Sequence, residues 1–131
     1  MNNTLVDRWY AAIRGGDVEA LTDVVTDDVV LIWNGDPARL PWAGTHVGVS
    51  AVMAFFQNLG RHIEVVSVIP LYRLDAGDAV VVVLEGRWKS RNTQCAVTAR
   101  ACNIFRFRNE RISAYEVYND SGKFADALQP A

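Results

Sequence analysis

The chain has 131 residues, 50% hydrophobic and 21% charged, with a formal net charge of −2. That length fits one domain over residues 1–131 and lets roughly two thirds of the unfolded surface be buried, enough for a core and a cavity. The weak negative charge argues against a nucleic-acid or anionic-membrane surface, and the basic residues between Arg87 and Arg111 read as the solvated face of paired strands.

The opening MNNTLVDRWY lacks the basic start and apolar run of a secretory leader, so a cytoplasmic location is expected. Leu5, Trp9, Ala12 and Ile13 recur at helical spacing, which predicts a helix over residues 4–14. Gly15 and Gly16 end it, and Asp17 is placed to cap a second helix over residues 18–25. Residues 27–34, DDVVLIWN, are β-branched and apolar and read as a buried strand. Residues 35–44 hold two prolines and two glycines and read as a loop. Val49, Val52, Met53 and Phe56 return to helical spacing over residues 48–59.

From there the pattern is that of strands. Residues 62–74 lead to a turn at DAGD, and residues 79–89 follow, with Val80, Val82, Leu84, Gly86 and Trp88 on one face. The apolar run at residues 79–84 is too short to span a bilayer. After a turn near SRNT, residues 98–108 alternate, with Ala99, Ala101, Asn103, Phe105 and Phe107 facing inward. Cys95 and Cys102 have opposite parity, so no disulfide joins them, and free thiols fit a reducing compartment. No cysteine or histidine spacing suggests a metal, and no cofactor is expected. Residues 112–119 form the last strand, and Asp120 can cap a short final helix. Helices segregated from an antiparallel meander give an α+β fold. A curved, mostly antiparallel sheet wrapped over three helices from the N-terminal half makes a cone with an apolar interior, a natural small-molecule site.

The stretches VDRWYAAIRGGDVEAL, TDDVVLIWN, PWAGTHVGVSAV and NIFRF resemble the ketosteroid isomerase and SnoaL-like polyketide cyclase group of the nuclear-transport-factor-2-like superfamily. The resemblance covers nearly the whole chain. It implies a cone-shaped barrel that holds a small apolar molecule, and a homodimer through the outer sheet face. Ketosteroid isomerases pair an aspartate base with an oxyanion hole made of a tyrosine and a neutral aspartic acid. The resemblance puts the tyrosine at Trp9, the base at Trp33 and the aspartic acid at Asn103. An amide donates without any pKa shift, and an indole N–H also donates, but an indole cannot take up a proton. The oxyanion clamp is therefore conceivable here, whereas the isomerase base is missing from its usual place. Related cyclases and limonene epoxide hydrolases draw an acid or base from the last strand, where the resemblance points to Val117; Glu116 or Asp120 would serve in a shifted register.

Each candidate carries a plainer reading. Asn103 is a ligand donor, or an amide bonded to Tyr115 or backbone. Trp9 and Trp33 line a cavity or fill a core; with Phe105 they could fill the cone altogether. Asp36 in NGDP and Asp120 are acid–base groups, or a turn residue and a helix cap. His46, in the loop after PWAG, is an acid–base group or a solvated side chain. The expected ligand contacts are Trp9, Trp33, Asn34, Val97, Asn103, Tyr115 and Val117, with Tyr118 on the outer face. The expected function is binding of a small apolar molecule bearing a carbonyl or hydroxyl, with acid–base isomerisation, cyclisation or hydration supplied by His46, Asp36 or Asp120. The alternative is a non-catalytic ligand-binding or dimerisation module, with neither nucleic acid nor membrane as partner.

Overall fold

A computed structural model describes residues 2–129. The elements in chain order are α1 (Asn2–Gly15), α2 (Val18–Val24), β1 (Val25–Trp33), β2 (Gly44–Val47), α3 (Val49–His62), β3 (Ile63–Asp75), β4 (Ala79–Ser90), β5 (Ala96–Arg108), β6 (Arg111–Asn119) and α4 (Ser121–Leu128). The strands form one curved, unclosed sheet in the order β2-β1-β6-β5-β4-β3. Strands β3 to β6 make the expected antiparallel meander, and β1 joins β6 in parallel.

Period-two patterning places the faces. Along β4, Val80, Val82 and Leu84 are buried while the intervening valines are half-covered. Along β5, Val97, Ala99, Ala101, Asn103 and Phe105 are buried, and Arg100 and Arg106 face out. Against the inner face, α1 lays Leu5, Val6, Trp9 and Ala12, and α3 adds Val52, Met53 and Phe55. Asp17 caps α2 by accepting from the Ala20 N–H at 3.0 Å. Asp120 stands at the start of α4 but makes no capping bond; its carboxylate lies 4.0 Å from Lys123 Nζ instead. Both thiols are free, with Cys95 ahead of β5 and Cys102 within it. Among the described residues no helix is long and apolar enough to cross a membrane.

One element departs from the sequence reading. Gly44–Val47 forms β2, an edge strand paired with Val30–Trp33, where a loop was expected to run into the next helix. It starts at Gly44 and is followed by Gly48, both with positive φ, and none of its residues is fully buried, so no hydrophobic period marks it.

Gly86 is required by its own strand. A Cβ there would lie 2.1 Å from the Trp88 ring, which folds back over the glycine and packs on Phe124 with ring centres 5.1 Å apart. Gly86→Ala must displace that ring and should destabilise the protein by ~1–3 kcal/mol. A lowered urea midpoint would show this, and an unchanged midpoint would mean the indole is free to move aside.

Candidate functional site

Between the concave sheet face and helices α1, α3 and α4 lies a cavity of about 1080 Å³. Most of its wall is apolar: Trp33, Phe55, Phe56, Leu59, Ile63, Val82, Leu84, Trp88, Val117 and Phe124. Its polar lining groups are Asp7, Tyr10, Arg14, Arg73, Asn103, Tyr115 and Asn119.

Asn103 is 4% exposed, and its amide N–H donates to the Tyr10 hydroxyl at 2.7 Å. This joins the middle of β5 to α1. The Tyr10 oxygen therefore acts as acceptor, and its own proton has no acceptor among the described residues. Tyr115, buried on β6, faces the same amide. Burial pushes the Tyr10 phenol from its ordinary 10.0 up to about 12; the Asn103 hydrogen bond and the Arg73 charge pull it partly back. Burial, then the neighbouring Tyr10, hold the Tyr115 phenol well above the ordinary 10.0, and Asn103 opposes them. Near neutral pH both phenols are hydrogen-bond donors and neither is a base. Asn119, farther along β6, has its amide oxygen buried without a partner.

The structure collects some of the expected residues and leaves others apart. Trp33, Asn103, Tyr115 and Val117 line the cavity. Trp9 does not: its indole is wholly buried in the core, with ring centres 4.6 Å from Tyr115, 5.8 Å from Phe105 and 6.1 Å from Phe56. The phenol beside Asn103 comes from Tyr10, one position along the helix and about 100° around it. Val97 is a core residue near α4, and Asn34 is exposed just past β1; neither lines the cavity.

Asp36, His46 and Asp120 also lie outside the lining. The Asp36 carboxylate accepts from the Ala38 N–H at 2.9 Å and closes its own turn. The His46 Nε2 is 2.9 Å from the Trp42 carbonyl, with its ring against Phe55. Among the described residues no three His, Cys, Asp or Glu side chains gather in one place.

Three lining residues escaped the sequence reading for a common reason. Asp7, Tyr10 and Arg14 lie at i, i+3 and i+7 on α1, one stripe beside the buried one, and a polar stripe looks the same whether it faces water or a cavity. Arg73, on β3, reaches the same edge, and its guanidinium is 3.0 Å from the Asp7 carboxylate.

A profile of the SnoaL-like domain matches residues 6–115. The chain belongs to the SnoaL-like family. A search of curated proteins finds no match. Among solved structures, an NTF2-like protein from Burkholderia xenovorans LB400 superposes with a TM-score of 0.89 at 25% identity, over 98% of this chain and 95% of that one. A protein with a ketosteroid isomerase-like fold from Catenulispora acidiphila, in complex with trimethylamine, has a TM-score of 0.70 at 21% identity, over 93% and 95%. A protein described as a SnoaL-like polyketide cyclase, from Jannaschia sp. CCS1, has a TM-score of 0.78 at 16% identity, over 97% and 90%. The SnoaL-like cone is thus the shared frame.

The raised phenol fixes a pH dependence. An acid whose pKa is higher folded than unfolded stabilises fully below the unfolded value and loses that contribution as pH rises through the folded one. The Tyr10 contribution should hold up to pH 10.0 and fall away toward about 12. In an alkaline absorbance titration, Tyr10→Phe should delete a tyrosinate that forms near 12; deletion of one forming near 10.0 would contradict the burial argument.

Proposed function

We propose that this SnoaL-like protein binds a small, largely apolar molecule in its cone and fixes a carbonyl or hydroxyl oxygen of that molecule with the Tyr10 proton. The observation that carries this reading is the direction of the Asn103–Tyr10 hydrogen bond. It makes the Tyr10 oxygen an acceptor and polarises an O–H that has no other acceptor among the described residues. The apolar wall supplies affinity without directional demands, and the phenol supplies orientation.

A second reading, acid–base isomerisation, cyclisation or hydration of the bound molecule, rests on Asp7. It is the one carboxylate among the lining residues, on the same α1 stripe as Tyr10. A proton acceptor must come within about 3 Å of the proton it moves, directly or through one water. Arg73 anchors Asp7 and would have to release or share it.

Acetylnaphthalene and ethylnaphthalene, alike except for a carbonyl in place of a methylene, separate these functions. Calorimetry should show the ketone preferred by ~1–3 kcal/mol, with the preference lost in Tyr10→Phe and weakened in Asn103→Leu. Equal binding of the two by the native protein would dispose of the donor role. For an enone substrate, Asp7→Asn should abolish turnover and keep binding; unchanged turnover would remove Asp7 from the chemistry.

The outer sheet face supports association of two copies. Ile69, Tyr72 and Leu74 of β3 and Tyr118 of β6 are exposed there; the register sets Leu74 in a row with Val81 and Ile104, Tyr72 and Tyr118 in a row with Val83 and Cys102, and Ile69 opposite Glu85. The ion pairs Glu85–Arg100 and Arg106–Glu116 lie on the same face. A strip so apolar, next to paired charges, suits an isologous contact in which each copy covers the other. Sedimentation should give a dimer that Tyr72→Glu with Ile69→Glu turns into a folded monomer; a monomeric native protein would refute the assembly.

A further inference from the structure

The cavity's charge is confined to one side. Its charged lining residues are Asp7, Arg14 and Arg73, so its rim is net positive in a chain that is net negative. Asp7 neutralises Arg73, which also reaches the Asn3 carbonyl and side-chain oxygens at 3.5 and 3.4 Å. Arg14 has no hydrogen bond or carboxylate partner among the described residues, although it lines the same cavity. A helix C-terminus favours a basic residue wherever it points. Here the position also places that residue on the stripe of α1 that carries Tyr10, one turn and ~6 Å farther along the axis.

We propose that the cone selects organic acids: molecules with an apolar body, an oxygen held by Tyr10, and a carboxylate about one helical turn away, read by Arg14 at the rim, with Arg73 a second positive charge on the lining. This specifies the ligand class of the cavity and rests on the cone being the binding site. A neutral ligand would fill the same wall but leave the Arg14 guanidinium in water. An anion would make a charge-assisted contact with Arg14 at the rim. A cationic ligand would meet the wrong sign of charge at the entrance.

The probe is naphthoylpropionate, an aromatic ketone with a carboxylate two methylenes away, set against its uncharged methyl ester in calorimetric titrations of the native protein. The acid should bind about fivefold or more tightly than the ester at low ionic strength. Added salt should narrow that gap, because the contact lies at the rim. Arg14→Gln should close most of the gap and leave the ester's affinity unchanged; Arg14 is exposed, so the fold is not at risk. Arg73→Gln should narrow it as well. Equal affinity for acid and ester, or a gap that survives in both variants, overturns the proposal. Ester binding that responds to Tyr10→Phe but not to Arg14→Gln, without a preference for the acid, leaves the cone as the site and rejects only its selectivity for acids. Failure of both compounds to bind rejects the two together.

Discussion

A buried amide must find hydrogen-bond partners, and Asn103 meets that demand across 93 residues of chain, from the centre of β5 to the Tyr10 hydroxyl on α1. Leaving such a group unpaired costs roughly 1–3 kcal/mol, a large share of what holds a domain of this size folded. The bond therefore constrains more than two side chains. It fits the rotation of α1 that buries the stripe of Leu5, Trp9 and Ala12 and leaves Tyr10 at the cavity. It also sets which atom of Tyr10 is left unused.

The hollow survives because the aromatic residues are gathered at its two sides. Trp9, Phe56, Phe105 and Tyr115 make one cluster through edge and tilted contacts, a packed floor under α1 and α3. Trp33, Trp42, Phe124 and Trp88 make another where α4 closes on the sheet. Had these rings stood inward, the cone would have been solid. Each instead prefers another ring's edge at about 5–6 Å, a geometry that adds to the burial of its own area. Gly86 assists by yielding its side-chain space to Trp88, so a bulky ring lies flat along its strand.

The strands were legible because one face of the sheet is buried and one is not. In β5 the alternation from Val97 to Phe105 reads directly as inside and outside, and Asn103 appears as an amide on the inner face before any coordinates are seen. Strand β3 is less readable. Register shifts between Val65 and Ser67 and between Pro70 and Tyr72 break its parity, and nearly all of it is exposed on both faces. Nothing along the sequence marks Val65, Val68, Pro70 and Arg73 as one side of it. The helix error was different. Leu5, Trp9 and Ala12 already form one stripe by spacing, and that stripe goes into the core. Spacing by itself therefore argued for Trp9 as core and left Tyr10 on the neighbouring face. The family resemblance, which put a ligand donor at Trp9, argued the other way.

The resulting site divides its labour by depth. The wall of about 1080 Å³ is apolar and tolerant, so shape alone discriminates weakly among ligands of similar size. In the proposed reading, discrimination comes from the few groups that lose a partner when the wrong molecule enters. The Tyr10 proton is one, and with the phenol pushed to about 12 it remains a donor throughout the ordinary pH range. A ligand without an oxygen at that point displaces water from the phenol and returns nothing, which costs more than a well-placed oxygen gains. The asymmetry makes the absence of an acceptor the feature the cavity rejects most strongly. In that reading the single lining carboxylate, Asp7, is held by Arg73, and holding an oxygen needs only a proton that stays in place.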